Sequence, residues 1–326
     1  MKNRIIAVVC VLLCSFAFVF ADDNACSSSF KITTDFAYYP LSSPVASTEN
    51  HFAPLTGPYK GLEARVTGKY TYSIPVPFGD NPLVKGNTLD LSAALEVSPV
   101  SIMPKVSVAF TPIAFLVFSA GADAGTGWEL IGIKGMGLYD NVPAKYYSIP
   151  AFSSWYINAW CQGLFQFDLA AVMPGDWNHV VMLAAYELKY TTLTGAAAGE
   201  PWIWQGTGEK VNGLNYNANI VLGYQMPLVL QMVGLQTEIS GFYTDNYASI
   251  YSGYKGDFTK YSINPLAIFK FNDHHSLTVQ TCFTARRGYS TEAKTVGDRK
   301  ESELNLNYSA YEWYFNRIAF SYTFTL

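Results

Sequence analysis

Arg317-Ile318-Ala319-Phe320-Ser321-Tyr322-Thr323-Phe324-Thr325-Leu326 decides the fold. Side chains of a β-strand point alternately to its two faces, so Ile318, Phe320, Tyr322, Phe324 and Leu326 share one face, and Ala319, Ser321, Thr323 and Thr325 share the other. A soluble sheet blunts such a long aromatic strand at its edge with Lys, Pro or a bulge. This stretch carries none of them. Pairing the final strand with the first removes the edge altogether, which is the geometry of a closed barrel.

The same two-residue period recurs upstream. Leu62, Ala64, Val66, Tyr70 and Tyr72 alternate with Glu63, Arg65, Thr67, Lys69 and Thr71. Leu89 to Val97 alternates against Asp90, Ser92 and Glu96; Ile102 to Phe110 against Ser101, Lys105 and Ser107; Leu214 to Met226 against Asn215, Asn217, Asn219 and Gln225. Half of the residues are hydrophobic and 16% aromatic, while only 14% are charged, against about 25% in soluble domains. Much apolar surface must therefore face something other than water. Beyond residue 21 no uncharged apolar run of helical type reaches 18 residues, and Val106 to Ala122 is broken by Pro112 and alternates. Without spanning helices, only a closed barrel satisfies every backbone group in hydrocarbon. The expectation is an all-β, transmembrane, antiparallel up-and-down barrel.

The terminal stretch resembles the C-terminal strand of bacterial outer-membrane β-barrel proteins of the porin-like class. Its alternating aromatic pattern, here Phe320, Tyr322, Phe324 and Leu326, is the one read by the barrel-insertion machinery. Those proteins usually end in Phe or Trp, whereas this chain has Leu326 with Phe324 two residues earlier. The resemblance implies outer-membrane lipid and the insertion machinery as partners.

The opposite end of the sequence reads as a signal peptide over residues 1–21. Lys2 and Arg4 supply a positive start, Ile5 to Phe20 an apolar run, and Val19-Phe20-Ala21 the small residues for cleavage near Ala21. A lipoprotein signal with Val11-Leu12-Leu13-Cys14 fits less well, because the apolar run continues past Cys14 and Leu13 is not small. The destination is the outer membrane of a double-membraned bacterium. Cleavage leaves 19 basic against 25 acidic side chains, a net charge of -6, which argues against a nucleic-acid partner. Cys26, Cys161 and Cys282 remain; they are scattered and odd in number, so neither a disulfide framework nor a zinc site is read from them.

In residues 22–58, Phe30 to Tyr39 reads as a strand, followed by Pro40, Pro44, Pro54 and Pro58. The segment is either a first strand with a long loop or a periplasmic plug. Residues 59–326 read as the barrel, with further strands near 113–121, 128–139, 151–171, 177–192, 230–244, 257–271, 276–288 and 302–326. Short connections at 98–101, 121–127, 173–178, 226–229 and 272–275 alternate with long polar ones at 74–86, 140–150, 193–212, 244–256 and 289–301, as periplasmic turns alternate with outer loops. With Thr111-Pro112 as a tight outer turn the count is twelve strands. Twelve also results if 30–39 is the first strand and 102–121 is one long strand, and fourteen if 311–316 is a turn.

Catalytic motifs are absent: no Gly-x-Ser-x-Gly elbow, Walker loop or Gly-x-Gly-x-x-Gly follows a strand. His274-His275-Ser276 faintly resembles the His-x-Ser of outer-membrane phospholipases, but it sits in a tight turn rather than on a strand face. No histidine pair has metal spacing, and no cofactor is expected. The polar face carries the lumen-lining candidates: Glu63, Asp90, Glu96, Glu187 and Glu238, with Arg65, Lys69, Lys105, Lys189, Lys260, Lys270, Arg286 and Arg317. Eight bases against five acids would favour passage of anions; alternatively the charges pair across strands and fill the barrel. The function read from this is a non-enzymatic channel or transporter for small solutes. The alternatives are a surface adhesin built on outer loops such as 193–212, with Trp202 and Trp204, and a fatty-acid-type transporter, whose Asn-Pro-Ala signature residues 22–58 lack.

Overall fold

A computed structural model describes residues 26–326 apart from 43–44, 46, 56–60, 77, 80, 82, 141–144, 247–255 and 297–298, with backbone alone at 140, 145, 209, 289–296 and 299–309. The elements in chain order are β1 (Ser27–Tyr38), β2 (His51–Phe52), β3 (Leu62–Pro75), β4 (Thr88–Ser98), β5 (Ser101–Ile113), β6 (Leu116–Gly127), β7 (Glu129–Leu130), β8 (Ile133–Lys134), β9 (Met136–Asp140), β10 (Lys145–Ser148), β11 (Tyr156–Asp168), β12 (Val180–Leu193), β13 (Trp202–Trp204), β14 (Thr207–Lys210), β15 (Gly213–Gln225), β16 (Leu230–Phe242), β17 (Lys260–Lys270), β18 (His275–Val296) and β19 (Arg299–Thr325).

Twelve of these form the barrel, each antiparallel to its neighbours in the order β1, β3, β4, β5, β6, β11, β12, β15, β16, β17, β18, β19. Pairing of β1 with β19, from Lys31 with Thr325 to Tyr38 with Ile318, closes the ring. The edge-free solution demanded by the terminal strand is therefore realised. Beyond Tyr38 the ladder of β18 and β19 continues upward, and β2 lies parallel to β19 at Glu312 and Trp313, covering the stretch of edge that β1 leaves bare.

The outward face is mostly apolar, with a few threonines such as Thr34, Thr237 and Thr281. Val66, Leu95, Val108, Phe118, Phe167, Ile220, Leu222, Leu235, Ile263 and Phe320 alternate outward and are exposed. Full burial of such a side chain gains about 1.5–3 kcal/mol, and a belt of them around a closed barrel is the surface of a transmembrane β-barrel.

Chain termini and loops divide the two ends. Ser27 and Thr325 lie at one end, here the terminal end, together with the turns 114–115, 169–179, 226–229 and 271–274; the opposite, loop end carries 39–61, 128–155, 194–212 and 243–259. Twelve strands match the expected number, but their membership differs. Residues 128–139 are not a barrel strand. They break into β7, β8 and β9 because Ile131 and Gly132 adopt positive φ and because Met136 and Leu138 bury themselves among loop residues instead of facing lipid.

Residues 121–127 are not a turn either. They are the upper half of β6, and their glycines admit tryptophans: a Cβ on Gly121 would lie 2.6 Å from the Trp160 ring, and one on Gly125 would lie 2.7 Å from that of Trp204. Thr111-Pro112 stays within β5, and the tight turn follows at Ala114-Phe115. With β1 counted in the ring and that turn at the terminal end, the connections 76–87 and 99–100 exchange the ends expected of them. The break near 311–316 is a bulge within one long strand, since Cys282 pairs with Arg317 while Phe283 pairs with Phe315.

Candidate functional site

Residues directly opposite in adjacent strands share a face, so the register can be followed around the barrel. Arg65 pairs with Asp35, which pairs with Ser321; Lys69 pairs with Ala94, which pairs with Lys105, then Asp123, Asn158 and Thr191. Ser73, Asp90, Ala109, Ser119, Gln162, Glu187, Asn217, Ser240 and Lys260 make the next row. Glu63, Glu96, Lys189, Glu238, Lys270, Arg286 and Arg317 fall on the same inward face. Lys31, Asp35, Asp123, Asp168 and Glu312 join them. Among the described strand residues of this face, nine acids therefore meet nine bases, and the expected excess of positive charge disappears.

Most of these charges are paired locally. Arg65 Nε donates to Asp35 Oδ2 at 2.7 Å, and Ser321 Oγ donates to Asp35 Oδ1 at 2.6 Å. Lys105 Nζ lies 2.7 Å from Glu96 Oε2, and Lys189 Nζ 3.1 Å from Glu187 Oε1. Tyr39 links two more: its hydroxyl donates to Glu63 and accepts from Arg317 Nη1 at 2.9 Å. Partly exposed pairs of this kind each contribute only about 0–1 kcal/mol, so their main effect is to neutralise the wall. On β15 to β18 the face changes to amides. Gln236 Nε2 donates to Asn219 Oδ1 and to Glu238 Oε1, both at 3.1 Å, and Gln280 donates to Gln236. The Oδ1 atoms of Asn217 and Asn264 accept no hydrogen bond from protein.

At the loop end the connections fold into a second sheet, in the order β10, β9, β13, β14. Its core joins Met136, Trp202 and Trp204 to Met103 and Leu193 of the barrel wall. Trp204 stacks on Tyr156 with centroids 4.6 Å apart. The β13–β14 turn places Gln205, itself at positive φ, against the wall, where its Nε2 donates to Glu96 Oε1 at 2.9 Å and to Ser101 Oγ at 2.8 Å. Desolvation pushes the Lys210 ammonium at the end of β14 down to about 8, with repulsion from Lys189 and Lys260 acting in the same direction. This sheet narrows the mouth on the side of β4, β5, β6, β11 and β12.

Opposite it, loop 39–61 is tied to β19 through Glu312, which is fully buried. Glu312 accepts from Arg286, from the Val45 amide and from His51 Nε2 at 3.0 Å. Hydrogen bonds to the Glu49 carbonyl and to Glu312 raise the His51 pKa. Burial disfavours ionised Glu312, but the bonds from Val45, Arg286 and His51 outweigh it and hold the carboxyl low. A raised imidazole contributes stability that is complete below its ordinary value of 6.5 and is lost as pH rises through the raised folded value. A lowered carboxyl contributes stability that is present above its ordinary value of 4.5 and is lost as pH falls through the lowered folded value. Loop 39–61 should thus be most protected from amide exchange between those two values and should loosen on the alkaline side first. Protection of residues 45–53 that is flat from pH 5 to 8 would contradict this account.

Some of these residues were not singled out from sequence. Lys31 and Asp35 follow once the alternation of Phe30, Ile32, Phe36 and Tyr38 is taken into the barrel; Asp123 was hidden by glycines that look like a turn, and Glu312 by a bulge. Nothing local in the sequence marks Gln205 as a wall contact. On the terminal strand Phe320, Tyr322 and Leu326 are exposed, and Phe324 stacks on His275, the first residue of β18, at 5.0 Å. Among the described residues no group of three or more His, Cys, Asp or Glu side chains is placed to hold a metal ion.

No family model and no curated protein matches the sequence. Among solved structures the chain is similar to the KdgM porin, at 10% identity over 90% of this chain and 98% of that one, with a TM-score of 0.37. It is also similar to the outer membrane channel DcaP of Acinetobacter baumannii, at 10% identity over 94% and 99% with a TM-score of 0.35. A third is the anion-selective porin from Comamonas acidovorans, at 10% identity over 92% and 100% with a TM-score of 0.31.

Proposed function

We propose that the protein is an outer-membrane channel passing small solutes through a charge-balanced lumen whose mouth is narrowed by its own loops. The observation that carries this reading is the exposure of inward lysines. Lys31 and Lys69 face the inside of a closed barrel and yet remain exposed, so water reaches the interior. Polar groups there are engaged in ion pairs and amide ladders rather than in a nucleophile held against a base, which favours a pore over an enzyme. In this reading residues 1–21, outside the described part of the chain, direct export; residues 22–58 supply the opening strand and a loop that leans on β19; and the outward face of Phe320, Tyr322, Phe324 and Leu326 meets the insertion machinery. A surface-interaction role draws support from the β7–β8 tip, where Leu130, Ile131 and Ile133 are exposed.

Conductance in a planar bilayer tests the proposal. Stepwise current increments are expected on addition of folded protein, with a reversal potential close to zero under a salt gradient, since the inner charges balance. Absence of conductance at every voltage would sink the channel reading and shift the weight to the outer loops. Strong preference for either ion would contradict the charge balance.

A further inference from the structure

We propose that the inner wall formed by β6, β11, β12 and β15 binds an uncharged sugar ring, which stacks on Trp160 and bonds through its hydroxyls to the polar side chains around that indole. The inference rests on the channel reading only for placing this wall on a solute's route. Trp160 is the fifth residue of β11 and pairs with Gly121 on one side and Lys189 on the other. Lys189 faces inward, so its direct partners in the ladders do too. A Cβ on Gly121 would lie 2.6 Å from Trp160 Cζ2 and 2.8 Å from Cε2. The indole is thus held against the wall, over the one residue type that leaves room for it. It is half-buried, and among the described residues no other ring stacks on it and no acceptor takes its N–H. An indole inside a protein ordinarily finds both packing and an acceptor.

The positions around Trp160 supply hydrogen-bonding groups. Ser107 lies one strand beyond Gly121, and Gln162 follows two residues along β11 on the same face. Gln162 pairs with Glu187, which pairs in turn with Asn217. Lys189 Nζ and Glu187 Oε1 are 3.1 Å apart, and their side chains keep 28% and 21% exposure, so water reaches this level of the wall. Asn217 Oδ1 is buried and accepts no hydrogen bond from protein. Neighbouring strands are about 4.8 Å apart, which puts Trp160 and Asn217 about 10 Å apart along the wall, a span that one sugar ring with its hydroxyls can bridge. Toward the loop end the same face is closed: Asn158 and Met103 are buried, and Trp204 stacks on Tyr156 four residues above Trp160. The indole therefore stands on a shelf beneath the loop sheet.

The face of an aromatic ring carries negative partial charge. In a pyranose, oxygen-polarised C–H groups lie on the flat faces while the hydroxyls project from the rim. Such a ring offers the indole face what it attracts, and offers its edge to a serine, two amides and a carboxylate–ammonium pair. Since Glu187 and Lys189 satisfy each other, the rim favours neither an anion nor a cation. An acyclic polyol has the hydroxyls without a rigid C–H face, and a flat aromatic amide has the face with polar groups at one edge only.

The test uses the full-length folded barrel in nanodiscs, with methyl β-glucoside, sorbitol and benzamide as probes and empty nanodiscs as background. Saturation-transfer NMR is expected to give half-saturation by methyl β-glucoside at a concentration about fivefold below that of sorbitol, the factor that one aromatic contact supplies, with benzamide weaker than the glucoside. Trp160→Leu should bring the glucoside to the sorbitol value, Trp160→Phe should keep part of the preference, and Asn217→Ala should weaken the glucoside. Heat-modifiable migration on gels checks that each variant folds. In a barrel that conducts, a glucoside bound no better than sorbitol overturns the inference and leaves the channel reading standing. A preference that survives Trp160→Leu, or benzamide bound more tightly than the glucoside, overturns it as well. Glucoside binding that depends on Trp160 in a barrel without conductance upholds the site while refuting the channel.

Discussion

Arginine at Leu235 is expected to abolish assembly into the membrane, whereas arginine at the adjacent Gln236 leaves it intact. Leu235 is exposed on the outward face opposite Leu222, midway along β16. A guanidinium there must enter the hydrocarbon layer, at a cost of about 2–4 kcal/mol near its centre and less toward the interfaces. Gln236 points the other way, into the ladder of Asn219, Glu238 and Gln280, where a cation finds water and the Glu238 carboxylate. The measurement is the fraction of each variant recovered as a heat-modifiable, SDS-resistant species after refolding into lipid vesicles. Equal recovery of the two variants would mean that the faces of β16 have been assigned wrongly. The comparison is sharp because the two positions are adjacent on one strand at nearly the same depth and differ in parity.

The second large effect is expected at Glu312. Changing Glu312→Gln keeps the shape but removes the charge that Arg286 and His51 share. Breaking one side of a buried pair costs about 3–5 kcal/mol when the remaining charge is wholly buried. Arg286 retains some exposure and a second acceptor in the Ser42 carbonyl, so the lower end of that range applies. The loss should be local. Loop 39–61 is expected to gain amide exchange and protease sensitivity, while the barrel keeps its heat-modifiable migration, because the β18–β19 ladder does not depend on this side chain. His51→Gln should reproduce only part of the effect, since the Val45 amide and Arg286 still hold the carboxylate. Loop protection unchanged in Glu312→Gln would show that the contact with β2 alone seats the loop.

The barrel was legible from the sequence because its two demands are local. Period-two alternation in β3, β4, β5, β15 and β19 needs no partner to be seen, and the aromatic terminal strand needs closure to be soluble in its own environment. The elements that went astray are those where a local pattern has a distant cause. Gly121 and Gly125 look like turn residues until the rings of Trp160 and Trp204 are placed over them. Residues 128–139 alternate well enough for a strand, but their apolar face is satisfied by Trp202 and Trp204, some seventy residues downstream. The inward charges are assigned from the sequence by parity. Their balance is not, because Asp35, Asp123 and Glu312 sit where a loop, a turn and a break obscure the register. The shared inward parity of Val181, Leu183, Val221, Met232, Leu266 and Ile268 shows only when four neighbouring strands are read together.

The closing seam has a kinetic consequence. Thr33 bonds Thr323 across 290 residues, and Asp35 bonds Ser321 across 286, whereas every other pair of barrel neighbours is consecutive around the ring. Rates of folding fall as contacts become more distant in sequence, because the entropy of closing the intervening chain must be spent before the contact forms. The eleven pairings between barrel strands consecutive in the chain can each form as soon as their two strands exist, but β1 has no mate on its free side until β19 has been made. An open sheet with two unpaired edges is thus an obligatory precursor, and the time it persists, rather than the stability of the finished barrel, sets the exposure of this chain to aggregation.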